Sequence, residues 1–182
     1  MITLVTGNPN KLKEAKMLLG EHLQSTALDL PELQTEDIEE IVRGKVRAAF
    51  AELQTPVLVE DVSYSLAACG NFPGTFIKFW EKGGMHEAIQ PLLREKGERG
   101  ATATCCVGYK DADREIIVLG IAKGRHMERS AGEGWGFDYY FMLDGLDQTF
   151  AQMGPEEKIK ISHRHNAYTQ MRAKLLENGI SL

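Results

Sequence analysis

Ile2-Thr3-Leu4-Val5-Thr6-Gly7-Asn8-Pro9-Asn10-Lys11 opens the chain and decides its fold class. The first four residues form a short apolar run, which reads as a buried strand. From Lys11 to Leu19, the residues Leu12, Ala15, Leu18 and Leu19 recur at helical spacing. Thr6 to Lys11 therefore lies at the carboxyl end of a strand and opens a helix. Open α/β sheets bind ligands at such places, and a helix amino terminus offers N–H groups and partial positive charge to anions. Gly7 lets a backbone approach a ligand, Asn8 carries an amide and Lys11 a point charge. An ordinary β–α turn with a solvated lysine would carry the same residues.

The 182 residues suit one large domain or two intimate lobes. At 43% hydrophobic the chain can bury a sizeable core. Its net charge of −5 argues against broad, sequence-independent nucleic-acid binding, which needs a basic face. A few local lysines can still hold a small anion. The three cysteines, Cys69, Cys105 and Cys106, have no zinc-ligand spacing and point to a reducing, cytoplasmic setting. No signal peptide and no apolar run of membrane-spanning length is present, so no membrane partner is expected.

Further along, Thr26 to Leu30 reads as a second strand ended by Pro31. Thr35 to Glu40 is an acidic helix start, and Ile38, Ile41, Val42, Val46, Ala49 and Phe50 form an apolar stripe to about Leu53. Val57-Leu58-Val59 is a short buried strand that delivers Glu60-Asp61 at its end. Met85 to Lys96 has helical spacing. Ala101 to Tyr109 alternates as a half-exposed strand, and Glu115 to Ala122 returns as its antiparallel partner after the turn at Asp111 to Asp113. Pro155 to Ile161 starts a helix, and Tyr168, Met171 and Leu175 mark the last one. No repeat or linker interrupts residues 1–182, so one continuous α/β unit with a mixed sheet is expected.

Several groups could carry chemistry. Asp61, with Glu60, could hold Mg²⁺ or accept a proton from water, or could cap the next turn. Glu32 beside Pro31 is a second candidate ligand. Ser162-His163-Arg164 brings a hydroxyl, an imidazole and a guanidinium together, suited to a heterocycle or phosphate, or simply to starting a helix. No nucleophile elbow surrounds Ser162, which argues against a hydrolase triad. Trp135-Gly136-Phe137-Asp138 places rings and an acid in a glycine-bounded loop, where aromatic faces could stack on a base or serve the core. Lys45, Lys78 and Lys158 are unremarkable singly, and His22, His86, His126 and His165 are scattered.

In combination these stretches are specific. The ordered series Thr6-Gly7-Asn8-Pro9-Asn10-Lys11, Leu30-Pro31-Glu32, Val59-Glu60-Asp61, Phe72-Pro73-Gly74-Thr75-Phe76-Ile77-Lys78, Trp135-Gly136-Phe137-Asp138, Thr149-Phe150-Ala151-Gln152-Met153 and Lys158…Ser162-His163-Arg164 resembles the inosine triphosphate pyrophosphatase (Ham1-like) family. The form Pro-Gly-x-Phe-Ile-Lys is similar to its archaeal and eukaryotic branch. The resemblance implies a long twisted mixed β-sheet flanked by helices, with two lobes around a central cleft. It implies hydrolysis of ITP, dITP or XTP to the monophosphate and pyrophosphate by an Mg²⁺-dependent, cytoplasmic homodimer. By that resemblance Thr6, Gly7, Asn8, Pro9, Asn10 and Lys11 hold the triphosphate. Glu32 and Asp61 coordinate the metal, with Asp61 also the base for water. Lys45, Lys78 and Lys158 contact phosphates or base. Trp135, Gly136, Phe137 and Asp138, with His163 and Arg164, form the nucleobase pocket.

Three positions depart from the family pattern. Tyr139 and Leu143 stand where prolines are usual, and Val62 follows Asp61 where a small hydroxyl residue is common. The first two adjoin the base loop and bear on substrate preference. Two other readings stay open: a non-catalytic nucleotide sensor on the same scaffold, and a pyrophosphatase of shifted specificity. A sensor needs neither Glu32 nor Asp61.

Overall fold

In the computed structural model, which describes residues 2–180, the opening run forms β1 (Thr3–Val5), and α1 (Pro9–Leu19) follows directly. The next elements are β2 (Gln24–Thr26), α2 (Ile38–Leu53) and β3 (Val57–Leu66). β1 pairs in parallel with both β2 and β3, with Leu4 opposite Ser25 on one side and Leu58 on the other. Parallel neighbours need a crossover, and α1 and α2 supply it. The remaining strands are β4 (Pro73–Gly74), β5 (Gly100–Lys110), β6 (Glu115–His126) and β7 (Phe141–Leu143). Among the described residues the sheet has seven strands in the order β2-β1-β3-β5-β6-β7, with β4 on β3. Parallel pairs at the β1 end and antiparallel pairs at β4 and β7 make it mixed, as expected.

The chain divides into two units. The first comprises Met1–Asp61, Cys105–Gly120 and His163–Leu182, and the second Val62–Thr104 and Ile121–Ser162. In the first, Val46 and Ala49 of α2 pack with Val5, Val57 and Val59, and Leu28, Leu30, Phe50, Leu53 and Ile117 close around them. The last helix of the chain, α8 (His163–Glu177), lies hard against β6 in this unit. A Cβ added at Gly120 would stand 2.1 Å from Ala167 N and 2.2 Å from His163 O, so only glycine permits that approach. The first turn of α8 is thereby held at a fixed place.

The second unit holds the short helices α3 (Ile77–Lys82), α4 (Met85–Ala88), α5 (Gln90–Lys96), α6 (Phe150–Met153) and α7 (Pro155–Lys158). Its core is aromatic. Tyr64 stacks on Phe137 with centroids 4.4 Å apart, and Phe141 meets both Tyr64 and Phe150 edge-on. β7 pairs antiparallel with the end of β6, Gly124 facing Leu143.

Four expectations need correction. The second strand is Gln24–Thr26, and Leu28 and Leu30 serve the core from a loop. An edge strand paired only with β1 needs no apolar residues of its own. β3 does not stop before Glu60-Asp61 but runs through them to Leu66, because partners described below neutralise the buried Glu60. The helical pattern from Met85 to Lys96 is broken into α4 and α5 at Ile89, where Pro91 enters the first turn of α5. The helix expected from Pro155 to Ile161 closes at Lys158. Among the described residues no helix is long and apolar enough to cross a membrane.

Candidate active site

The site in the first unit begins at the α1 terminus. Asn8 is its N-cap: Oδ1 accepts from Asn10 N at 2.9 Å and Lys11 N at 3.4 Å, and Asn8 N donates to Thr6 Oγ1 at 3.1 Å. Pro9 occupies the first helical position, where its missing N–H costs nothing. A Cβ at Gly7 would meet only Ala27 Cβ, at an ordinary 3.7 Å. Internal packing therefore does not demand glycine there, and the bare backbone is available to something else.

Lys11 points from α1 to β3. Its Nζ donates to Glu60 O at 3.2 Å and lies 3.6 Å from Glu60 Oε1 and 3.7 Å from Asp61 Oδ1. Lys45, from the middle of α2, reaches the other face of Asp61, 2.5 Å from Oδ2, and also touches Glu32 Oε1 at 2.6 Å. Burial alone would depress the Lys45 ammonium, but the Asp61 and Glu32 carboxylates outweigh it and raise its pKa. Two acids from a loop and a strand thus share one cation, and Asp61 has a lysine on each side.

Behind them Arg164, at the start of α8, is almost fully buried. Its Nε donates to Glu60 Oε1 at 3.0 Å and Oε2 at 3.1 Å, Nη2 to Oε1 at 2.8 Å, and Nη1 to Glu14 Oε2 at 2.9 Å. Burial opposes this charge too, yet the two carboxylates push the guanidinium pKa well above its ordinary value. His163 is buried beside it. All three nitrogens of Arg164 are engaged with the acids of β3 and α1. This ties the strand bearing Asp61 to the helix bearing Lys11.

In the second unit Trp135 to Asp138 form a tight turn, a 3-10 helix over Gly136–Tyr139. Trp135 N donates to Asp138 Oδ2 at 3.1 Å, and Lys158 Nζ donates to the same oxygen at 2.6 Å. The Lys158 ammonium also lies 5.4 Å from the centroid of the Trp135 ring. Asp138 and Lys158 are both buried, so the pair fixes the indole from beneath. Gly136 has φ of 60°, the left-handed conformation the turn requires. Phe137 faces the core on Tyr64, while Trp135 stays half-buried. Tyr139 closes the turn: its hydroxyl donates to Gly134 O at 2.8 Å, and the Arg129 guanidinium sits 4.1 Å from its ring centroid. Lys78 lies exposed on α3.

The structure therefore gathers Lys11, Glu32, Lys45 and Asp61 in the first unit and Trp135, Asp138 and Lys158 in the second. Among the described residues no group of three or more His, Cys, Asp or Glu side chains converges on a point a metal could occupy. Glu14 was not singled out in the sequence. Its place three residues after Lys11, on the same helix face, was the available signal. Nor was the pair His86 and His126, whose rings stack at 5.3 Å although forty residues separate them.

Residues 2–174 match the Ham1 family. The chain is 37% identical to the dITP/XTP pyrophosphatase of Methanopyrus kandleri, over 99% of this chain and 98% of that protein. It is 39% identical to inosine triphosphate pyrophosphatase 1 of Trypanosoma cruzi, over 94% of this chain and 90% of that one. The Ham1 protein of Staphylococcus aureus superposes with a TM-score of 0.82 at 25% identity, covering 97% of this chain and 98% of its own. With a match of this extent across the glycine-asparagine loop, the acid-bearing strand and the tryptophan turn, the chain belongs to the Ham1 family.

Proposed function

We propose that this chain hydrolyses deaminated purine nucleoside triphosphates, ITP, dITP and XTP, to the monophosphate and pyrophosphate. Family membership makes it a hydrolase of nucleoside triphosphate phosphoanhydrides. The observation that carries the finer reading is the placement of Asp61 between Lys11 and Lys45, with Glu32 on the same lysine. Such a group suits a polyphosphate, which brings about four negative charges and needs cations on several sides.

Glu32 and Asp61 fit Mg²⁺. Both are oxygen donors, both reach one shared cation, and Mg²⁺ is usually held by one or two carboxylates with waters and substrate phosphates completing its shell. When bound, that ion would neutralise phosphate charge and lower the pKa of a coordinated water. Asp61 orients the attacking water and accepts its proton. The water oxygen bonds to the α-phosphorus as the bond from that phosphorus to the bridging oxygen breaks, and pyrophosphate leaves. Lys11 and Lys45 counter the charge of the phosphate tail. Gly7 lets the backbone before α1 approach it.

Trp135 offers a stacking face for the base, held by Asp138 and Lys158. Selection would follow hydrogen-bond polarity: hypoxanthine and xanthine carry a 6-oxo acceptor where adenine carries a 6-amino donor. A site built for the first can reject the second by about 10⁴-fold. The same activity, in a cytoplasmic homodimer, would keep deaminated purines out of DNA and RNA. A shifted specificity is the second reading, favoured by the Tyr139 hydroxyl closing the base turn.

The test is pyrophosphate release from a panel of ITP, dITP, XTP, GTP and ATP, with and without Mg²⁺. Release from the first three, dependent on Mg²⁺, is expected. Equal activity on ATP would reject the selectivity, and nucleotide binding without turnover would favour a sensor.

A further inference from the structure

The two carboxylates assigned to the metal already share a cation of the protein's own. Lys45 Nζ is 2.6 Å from Glu32 Oε1 and 2.5 Å from Asp61 Oδ2, and only 13% of its side chain is exposed. These are strong, charge-assisted contacts. Asp61 Oδ1 faces Lys11 Nζ at 3.7 Å, so both oxygens of Asp61 lie against positive charge. A divalent ion drawn to Glu32 and Asp61 would meet the Lys45 ammonium on the same oxygens, and two cations at such separations repel strongly.

We infer that Lys45 is a resident counter-cation that exchanges with the metal. In the free enzyme its ammonium holds Glu32 and Asp61 together. When metal and triphosphate arrive, the ammonium gives up the carboxylates and moves to phosphate oxygens. Its flexible four-carbon stem on α2 permits the shift, and a compact ammonium suits either anion. The inference rests on the metal reading above and deepens it.

The charges decide the consequence. Glu32, Asp61 and Lys45 together carry one net negative charge, too little to retain a divalent ion well. The triphosphate supplies the anionic oxygens that accommodate both cations. Metal and nucleotide therefore bind cooperatively, each raising the affinity of the other by the same factor. Free metal does not lock the acids in a state that lacks substrate.

The experiment measures Mn²⁺ binding by the loss of the free-ion electron paramagnetic resonance signal, less the loss that any added nucleotide causes without protein. Wild type, Lys45→Met and Lys45→Arg are compared, each first checked by circular dichroism and thermal melting. With Mn²⁺ alone, Lys45→Met binds at least about tenfold more tightly than wild type, the scale of removing one adjacent charge. Lys45→Arg binds no more tightly than wild type. Adding inosine triphosphate with an imido bridge between the α- and β-phosphates tightens Mn²⁺ binding at least about tenfold in wild type and less in Lys45→Met. Folded Lys45→Met that binds Mn²⁺ alone no better than wild type overturns the exchange, even if wild type binds Mn²⁺ with the analogue. Wild type that takes up no Mn²⁺ even with the analogue overturns the metal assignment itself.

Discussion

Arg164 clasps Glu60 through two nitrogens, Nε at 3.0 Å and Nη2 at 2.8 Å from the same carboxylate oxygen, with both side chains out of solvent. The pair joins residues far apart in sequence, and Glu14 takes the remaining arm of the guanidinium. Burying charges is costly, and attraction repays it only where the geometry is this complete. Removing the guanidinium takes from Glu60 its nearest cation and leaves it Lys11 at 3.6 Å. Arg164→Met should lower unfolding free energy by about 3–5 kcal/mol, measured by urea denaturation. A loss below about 1 kcal/mol would mean the network contributes nothing to holding β3 against α1.

Asp61→Asn keeps the shape of the side chain and removes its basicity. Lys45 retains Glu32 as a partner, so the fold should stand. Pyrophosphate release from ITP should fall about 10²–10⁴-fold, the range for loss of a general base. Undiminished turnover in a folded variant would reject Asp61 as the base.

Gly120 gives a stability test independent of chemistry. An alanine Cβ there would press on backbone atoms of α8, Ala167 N and His163 O, which cannot swing aside. Gly120→Ala should cost about 3 kcal/mol or more, toward the upper end of overpacking. Because His163 and Arg164 open α8, activity should fall with it. A variant melting at the wild-type temperature would show that α8 can shift without penalty.

Much of the first unit was legible because its signals are local. Apolar spacing gave α1 and α2 and placed Thr6 to Lys11 at a strand end that opens a helix, while the capping role of Asn8 went unread. What was misread depends on distant partners. Glu60-Asp61 resembled the end of a strand because nothing nearby in sequence shows that Arg164 and Glu14 neutralise Glu60. Gln24-Ser25-Thr26 lacks any apolar pattern and is a strand only because β1 offers an edge. Lys158 is unremarkable on its own in the sequence. Its burial on Asp138 is a long-range match of single charges, which leaves no periodic trace. His86 and His126 likewise meet only through the aromatic core.

Tyr139 tests whether the closure of the base turn matters to substrate binding. Its hydroxyl reaches back to Gly134 O, and its own carbonyl accepts from Ser130 N at 2.9 Å. Tyr139→Phe deletes the first bond and leaves the ring under Arg129. One neutral hydrogen bond is worth about 0.5–1.5 kcal/mol, so KM for ITP should rise roughly 2–10-fold. kcat should hold, since Asp61 and its lysines are untouched. An unchanged KM would show that Trp135 is fixed by Asp138 and Lys158 alone.

The buried histidine His126 gives the molecule an acid-side weakness with a definite sign. Its Nδ1 is 2.9 Å from Tyr64 Oη, and its Nε2 is 3.3 Å from the His86 carbonyl. Burial lowers its pKa from 6.5 to about 4; the nearby His86 and Arg99 charges push the same way, while the His86 carbonyl and Glu87 oppose them. The unfolded chain therefore binds a proton near pH 6.5 that the folded chain refuses until about pH 4. Stability is full above pH 6.5, falls as the pH drops through this window and levels off below it. The loss attributable to this one group is up to roughly 3 kcal/mol. In His126→Gln, which can still accept from Tyr64, unfolding free energy should be lower at neutral pH but flatter between pH 6.5 and 4. A variant whose stability declines as steeply as wild type over that range would assign the acid sensitivity to other groups.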